Sequence, residues 1–342
     1  MSSQNRPIDW LALHSLYLYD PKKAHVLLQE TPYIPDLLKK IPLSTPIDWN
    51  VLEKLLPDWI PFDAKEYPDS LRQIPEAPLG LFFRGSSPRI FTEIPWIGIV
   101  GSRKATAYGK KRAFALAQNL ARKGFGVISG LAYGIDGAAH EGALSGGGMT
   151  VGVMGTGLDQ IYPPEHQALS KKMCVDGGIL TEFFPGVSPQ SHHFPQRNRI
   201  ISGLSLGVVI VEAAERSGSL ITARWAADQG REVFVVPGET GLHTKGSNRL
   251  LKEGAKLVED VEEILAELKP QLQFFSAKAK SPTATEEGLL QFFSGEAVSA
   301  EALVEKSGKN VAEIMAELTH LECQQRIKRL PGNVFIRERV NG

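Results

Sequence analysis

Trp96-Ile97-Gly98-Ile99-Val100 runs without a charge and stops at once in Gly101-Ser102-Arg103-Lys104. A strand with no polar residue on either side of its pleat is buried on both faces, which is the mark of a parallel sheet covered by helices above and below. The pattern repeats downstream. The spacing predicts helices over 107–122, 135–144, 164–175, 196–204 and 219–229, alternating with strands over 126–129, 150–154, 178–182, 207–211 and 232–236. Strand-helix alternation with apolar strands predicts an α/β fold, a Rossmann-like doubly wound parallel sheet, over 96–268.

Outward from this block the pattern changes. Over 1–60, Trp10, Leu11, Leu13, Leu16, Val26, Leu27, Leu37 and Leu38 fall at helical spacings interrupted by prolines, predicting a small helical N-terminal domain. Residues 61–95 are proline-rich and read as a connector ending in a short strand near Gly80-Leu81-Phe82-Phe83. Periodicity is lost over 269–284, a linker. Over 285–342, helical patterns at 286–293, 300–306 and 311–324 precede a hairpin at 326–330 and 334–337, which predicts a C-terminal winged-helix module.

The 342 residues are 42% hydrophobic, enough for a sizeable core, and Lys+Arg equals Asp+Glu at 38 each. A polyanionic partner must therefore be sought in local charge. Cys174 and Cys323 are far apart and have no neighbour at metal-ligand spacing, so neither a disulfide framework nor a zinc site is expected. There is no apolar signal core and no apolar run of ~18 residues, so no membrane span is expected and the cytoplasm is the expected location.

In an open parallel sheet, ligands bind beyond the carboxyl ends of the strands, where helix N-termini present free N–H groups to anions. Three strand ends are glycine-rich: Gly101-Ser102-Arg103-Lys104, then Ser129-Gly130 running on to Gly134, and Gly155-Thr156-Gly157. Together they predict a phosphate-binding cleft. Arg103, Lys104, Lys110, Lys111 and Arg112 follow the first strand with no acid among them. Phe184, His192, His193 and Phe194 stand near Arg197, Asn198 and Arg199, the mixture that stacks bases while neutralising phosphates. Ser217 and Gly218 begin a helix whose small residues suit a close backbone contact or tight packing.

Cofactor motifs are missing. G-x-G-x-x-G does not follow the first strand, and Gly241 to Ser247 has the glycine spacing of a Walker A loop without its lysine, so no cofactor is expected. Asp136, Asp159, Glu182, Glu212 and His140 form no recognisable acid-base or nucleophilic set; Asp136 is read as a helix cap, and no catalytic or metal-binding residue is assigned.

Gly101-Ser102-Arg103, Ile128 to His140, Thr181-Glu182-Phe183, Phe194 to Ser205 and Glu212 to Ala223 resemble, in order, the signatures of the DNA-processing protein A (DprA/Smf) family. The likeness spans about 67–265, and the flanking modules are similar to that family's layout. It implies a bacterial cytosolic homodimer without a chemical step. Such a protein binds single-stranded DNA entering during natural transformation, protects it and helps load a RecA-type recombinase. By motif position Arg103 would meet a phosphate and Phe194 a base, whereas Gln190-Ser191-His192-His193 stands where members of the family carry a basic residue. The winged helix holds nine Glu against seven Lys+Arg over 286–342, which favours a protein-binding or regulatory role there. The alternative is a Rossmann-like nucleotide phosphoribohydrolase, whose Pro-Gly-Gly-x-Gly-Thr-x-x-Glu signature is absent.

Overall fold

Prolines that interrupt the N-terminal pattern turn out to start its helices. In the computed structural model, helices α1 (Pro7–Tyr17), α2 (Pro21–Glu30) and α3 (Ile34–Lys40) each carry proline at their first or second position. There the missing N–H costs nothing and the fixed φ favours the helix. Asp20 and Asp48 cap α2 and α4 (Trp49–Leu55) by accepting from the Lys23 and Val51 N–H groups. The structure describes residues 4–42, 47–239, 241–272, 289–293, 297–307, 314, 318, 327–330 and 334–337. They fall into two units, 1–275 and 276–342.

The sheet of the first unit is wider than the alternation predicts. Strand β1 (Trp59–Pro61) closes the stretch expected to be helical, and helix α5 (Asp69–Arg72), strand β2 (Gly80–Gly85) and helix α6 (Ile90–Glu93) occupy the stretch read as a connector. The alternation follows: β3 (Trp96–Val100), α7 (Ala107–Arg122), β4 (Gly126–Ser129), α8 (Ile135–Ser145), β5 (Thr150–Val153), α9 (Gln167–Asp176), β6 (Gly178–Thr181), α10 (His193–Leu204), β7 (Gly207–Ile210), α11 (Ser219–Asp228), β8 (Glu232–Val235), α12 (Lys245–Lys252), β9 (Lys256–Leu257) and α13 (Val261–Glu267). The order is β1-β2-β6-β5-β4-β3-β7-β8-β9, parallel from β6 through β9, with β2 antiparallel to β6 and β1 antiparallel to β2. β1 and β2 precede the strand-helix alternation in the chain, and they add to the β6 edge antiparallel.

The pleat sends alternate residues of each strand into different cores. Trp96 and Val100 pack with Ile128, Val151, Val208 and the α10 residues Ile200 and Ile201. Ile97 and Ile99 pack on the other face with Leu116 and Leu120 of α7, Ala139 of α8 and Ile264 of α13. Burying each such aliphatic chain stabilises the fold by about 1.5–3 kcal/mol. Trp10, Leu11, Leu13 and Leu37 share a third core with Trp59, Phe82 and Met173, so the N-terminal helices continue the α/β body. Residues 269–272, expected to begin a linker, are helical, and Leu272 packs on the core. No described helix is long and apolar enough to cross a membrane.

In the second unit β10 (Val298–Ser299), α14 (Ala300–Ser307), β11 (Ile327–Leu330) and β12 (Val334–Arg337) form a three-stranded antiparallel sheet with a helix before its hairpin. Leu289, Phe293, Leu303, Ile314, Leu318, Ile327 and Phe335 make its core. Most of the helix expected over 311–324, and Pro331-Gly332-Asn333, lie outside the described residues.

Candidate functional site

The strand order reverses between β3 and β7, and a crevice opens where the loops after these two strands diverge. Ser102 N–H donates to the Glu212 carbonyl at 2.7 Å, and the Ser102 carbonyl accepts from Ile135 N–H at 3.2 Å, so the first glycine turn is pinned on both sides. Glu212 holds it further: its carboxylate accepts from Thr106 N–H at 2.9 Å and from the Thr106 hydroxyl, and Thr106 caps α7. Gly134, at φ +77°, sits so close to the Ser102 and Arg103 carbonyls that any side chain would collide with backbone.

The resulting cleft encloses about 880 Å3. Gly101, Ser102, Arg103 and Lys104 form one wall; Ser217 and Gly218, at the start of α11, form the opposite one. Phe194, Arg197, Asn198 and Ile201 of α10 floor it, because positions i, i+3, i+4 and i+7 share one helix face. The Arg103 guanidinium lies over the Phe194 ring, 4.7 Å from its centroid. Arg103, Lys104 and Arg216 make no ion pair among the described residues. The wall is therefore free to take an anion.

Two charged groups of this lining, Arg197 and Asp136, act on each other without a direct ion pair. Arg197 donates to the Val153 carbonyl and is 3% exposed. Burial pushes its guanidinium down to about 10, against the pull of Asp136. Burial also raises the Asp136 carboxyl, although Arg197 and the N–H groups of Ala132 and Gly130 favour its charge. Asp136 is no helix cap. It accepts from Gly130 N–H at 3.0 Å and so shapes the β4–α8 loop, while Gly134 holds the cap position. A Cβ at Gly130 would strike the Arg197 guanidinium, which accounts for glycine there.

Several expected residues lie elsewhere. Arg199 is 1% exposed and grips Glu182 through both nitrogens, at 2.6 and 2.7 Å, because two positions along a helix from Arg197 is the far face. His193 is buried between Phe183, at 4.2 Å between ring centroids, and Tyr19, whose hydroxyl lies 3.2 Å from Nε2. Phe184 packs on His14 and Phe82. Ser129 is buried and donates to the Ile99 carbonyl at 2.6 Å. Lys110 and Gly134 face a separate groove. Gly155 packs against the Phe194 ring from below. Arg112 donates to the Glu259 carbonyl.

Tyr162, Arg216 and His243 line the cleft without having been singled out. Arg216 lies inside the Glu212 to Ala223 motif, and His243 inside the loop that resembles a Walker A sequence only in its glycines. Their signal was proximity to glycine turns, which says nothing of direction. Among the described residues no three His, Cys, Asp or Glu side chains cluster as metal ligands would.

A family model described as DNA recombination-mediator protein A matches residues 58–269. The chain is also 39% identical over 284 residues to Protein Smf of Escherichia coli (strain K12), a match covering 80% of this chain and 75% of that one. It belongs to the DprA/Smf family. A model of the DprA winged helix domain matches residues 275–333. DNA processing protein DprA of Bacillus subtilis (strain 168) is 44% identical over 210 residues, 61% of this chain and 70% of its own. Among solved structures, DprA from Streptococcus pneumoniae superposes with a TM-score of 0.69 at 35% identity, covering 77% of this DprA/Smf chain and 98% of that one. DprA from Helicobacter pylori, described for a single-stranded DNA binding mode, gives a TM-score of 0.56 at 28% identity, covering 62% and 96%.

Proposed function

We propose that this DprA/Smf protein binds single-stranded DNA in the cleft between Arg103 and Gly218 and performs no chemistry on it. The observation that carries the reading is the Arg103 guanidinium, which makes no ion pair among the described residues, lying over Phe194 at the mouth of a glycine-walled cleft. A ring and a cation presented together suit a base and its phosphate, since stacking tolerates any base and the cation neutralises the backbone. Single-strand binding is also the property for which the H. pylori relative is described. The carboxylates near the strand ends are engaged: Asp136 on Gly130, Asp159 on Gly186, Glu182 on Arg199 and Glu212 on Thr106. That supports a binding rather than a hydrolytic role. On this reading the protein acts in the cytoplasm as a homodimer, protects incoming strands in transformation or a related recombination task, and passes them to a RecA-type recombinase. The winged helix serves a protein partner or regulation.

Fluorescence anisotropy with oligo-dT and its duplex at several salt concentrations tests the binding step. The expected result is a salt-sensitive preference for the single strand. Arg103→Ala should weaken it and flatten the log-log salt slope by roughly 0.7, the share of one phosphate contact on a single strand. An unchanged slope would remove Arg103 from the site. No binding even at low salt would turn attention to hydrolysis of nucleoside monophosphates.

A further inference from the structure

Lys110, expected at the cleft, opens instead into a second groove of about 410 Å3 between the first turns of α7 and α8. Lys110 and Lys111 stand on its α7 side and Gly134, Gly137 and Glu141 on its α8 side, with His166 and Tyr133 closing the end nearest the cleft. Neither lysine makes an ion pair among the described residues. Of the two nearby acids, Glu165 is occupied by the Tyr133 hydroxyl, leaving Glu141 against two lysines.

The groove borders the cleft. A small pocket of about 20 Å3 lies between them, lined by Arg103, Tyr162 and Phe194 of the cleft and by Tyr133 of the groove. Rings mark the route: Phe194 and Tyr162 have centroids 5.6 Å apart, as do Tyr133 and His166. Tyr162 and Tyr133 are 39% and 40% exposed, so part of each ring is open to a ligand. The His166 ring is itself fixed, with Nδ1 2.8 Å from the Leu131 carbonyl and its other edge over Gly137, where a Cβ would touch it.

We infer that the α7–α8 groove is a second nucleotide subsite, which takes the same single strand after it leaves the cleft, with Tyr133 stacking a base and Lys111 meeting a phosphate. The inference rests on the cleft being a single-strand site. It follows from adjacency and alternation: exposed rings spaced along a path with unpaired cations at both ends are what a sequence-tolerant strand channel needs. A strand short enough to end in the cleft gains nothing from the groove; a longer one gains one stack and one phosphate contact.

The test is anisotropy of the full chain with oligo-dT from about 4 to 16 nucleotides, the range of known single-strand site sizes. Compare wild type, Tyr133→Ala, Tyr133→Phe and Lys111→Ala. Wild-type affinity should rise with length. Tyr133→Ala should match wild type on the shortest strand that binds and fall roughly tenfold on the long ones, the scale of one lost base stack. Tyr133→Phe, which keeps the ring and loses only the bond to Glu165, should restore it. Lys111→Ala should flatten the salt slope on long strands alone, by roughly 0.7. Equal losses at every length, or none at any, would overturn the subsite while leaving the cleft intact. Failure of wild type to bind any strand would instead bring down the cleft reading on which it stands.

Discussion

Arg197 and Arg199 stand two positions apart and face opposite ways. Arg197 floors the cleft; Arg199 is sealed against Glu182, whose charge lifts the guanidinium above its usual range in spite of burial. The motif Phe194-Pro195-Gln196-Arg197-Asn198-Arg199 made both look alike, because sequence spacing places a residue on a helix face only once the helix's orientation is known. Arg199→Met should therefore leave Glu182 charged and unpaired inside the protein, at a cost of about 3–5 kcal/mol in urea unfolding. The double change with Glu182→Met should recover most of that loss. A single-variant loss below about 1 kcal/mol would mean that the pair contributes as little as a surface one.

At the scale of elements, helix boundaries followed local chemistry well. α7 spans Ala107–Arg122 as its pattern predicts, with Thr106 as the cap. α10 starts at His193 rather than Gln196, since a proline in the first turn, Pro195, has no helical N–H partner to lose. The packing of α7 on α8 was not legible. A Cβ at Gly142 would run into the Phe114 backbone, so this glycine sets how closely the two helices approach. Gly142→Ala thus pits a propensity gain of about 1 kcal/mol against a clash that neither backbone can relieve without moving. Overpacking of this kind costs about 1–3 kcal/mol, so net destabilisation is expected in a urea titration. A rise in the midpoint would show that the helices separate easily, and with them the walls of the lysine groove.

For the whole molecule, the clearest consequence concerns acid. Burial holds His14 down to about 4 and His140 down to about 3, from an ordinary 6.5. Between those values and 6.5 the unfolded chain binds more protons than the folded one. The stability contributed by keeping both rings neutral is thus complete above 6.5 and falls as pH drops toward 4, by up to about 1.4 kcal/mol per unit for each ring. Asp136, raised by burial, acts the other way in the acid part of the range. His140→Gln should make the acid limb of urea midpoints between pH 7 and 4.5 shallower; an unchanged limb would mean that His140 is protonated in the folded state.

The chain's own order of residues determined the central strands β3 to β8, most of the helices between them, the glycine turns and the family, because each depends on interactions a few residues apart or on motifs kept in line. Tertiary structure decided the rest. The antiparallel edge of β1 and β2, the burial of Arg199 and His193, and the division of one basic block between a cleft and a groove all depend on which distant segment lies opposite. Lys104 and Lys110 are six positions apart and equally charged. Only the direction in which α7 leaves the sheet turns them toward different openings.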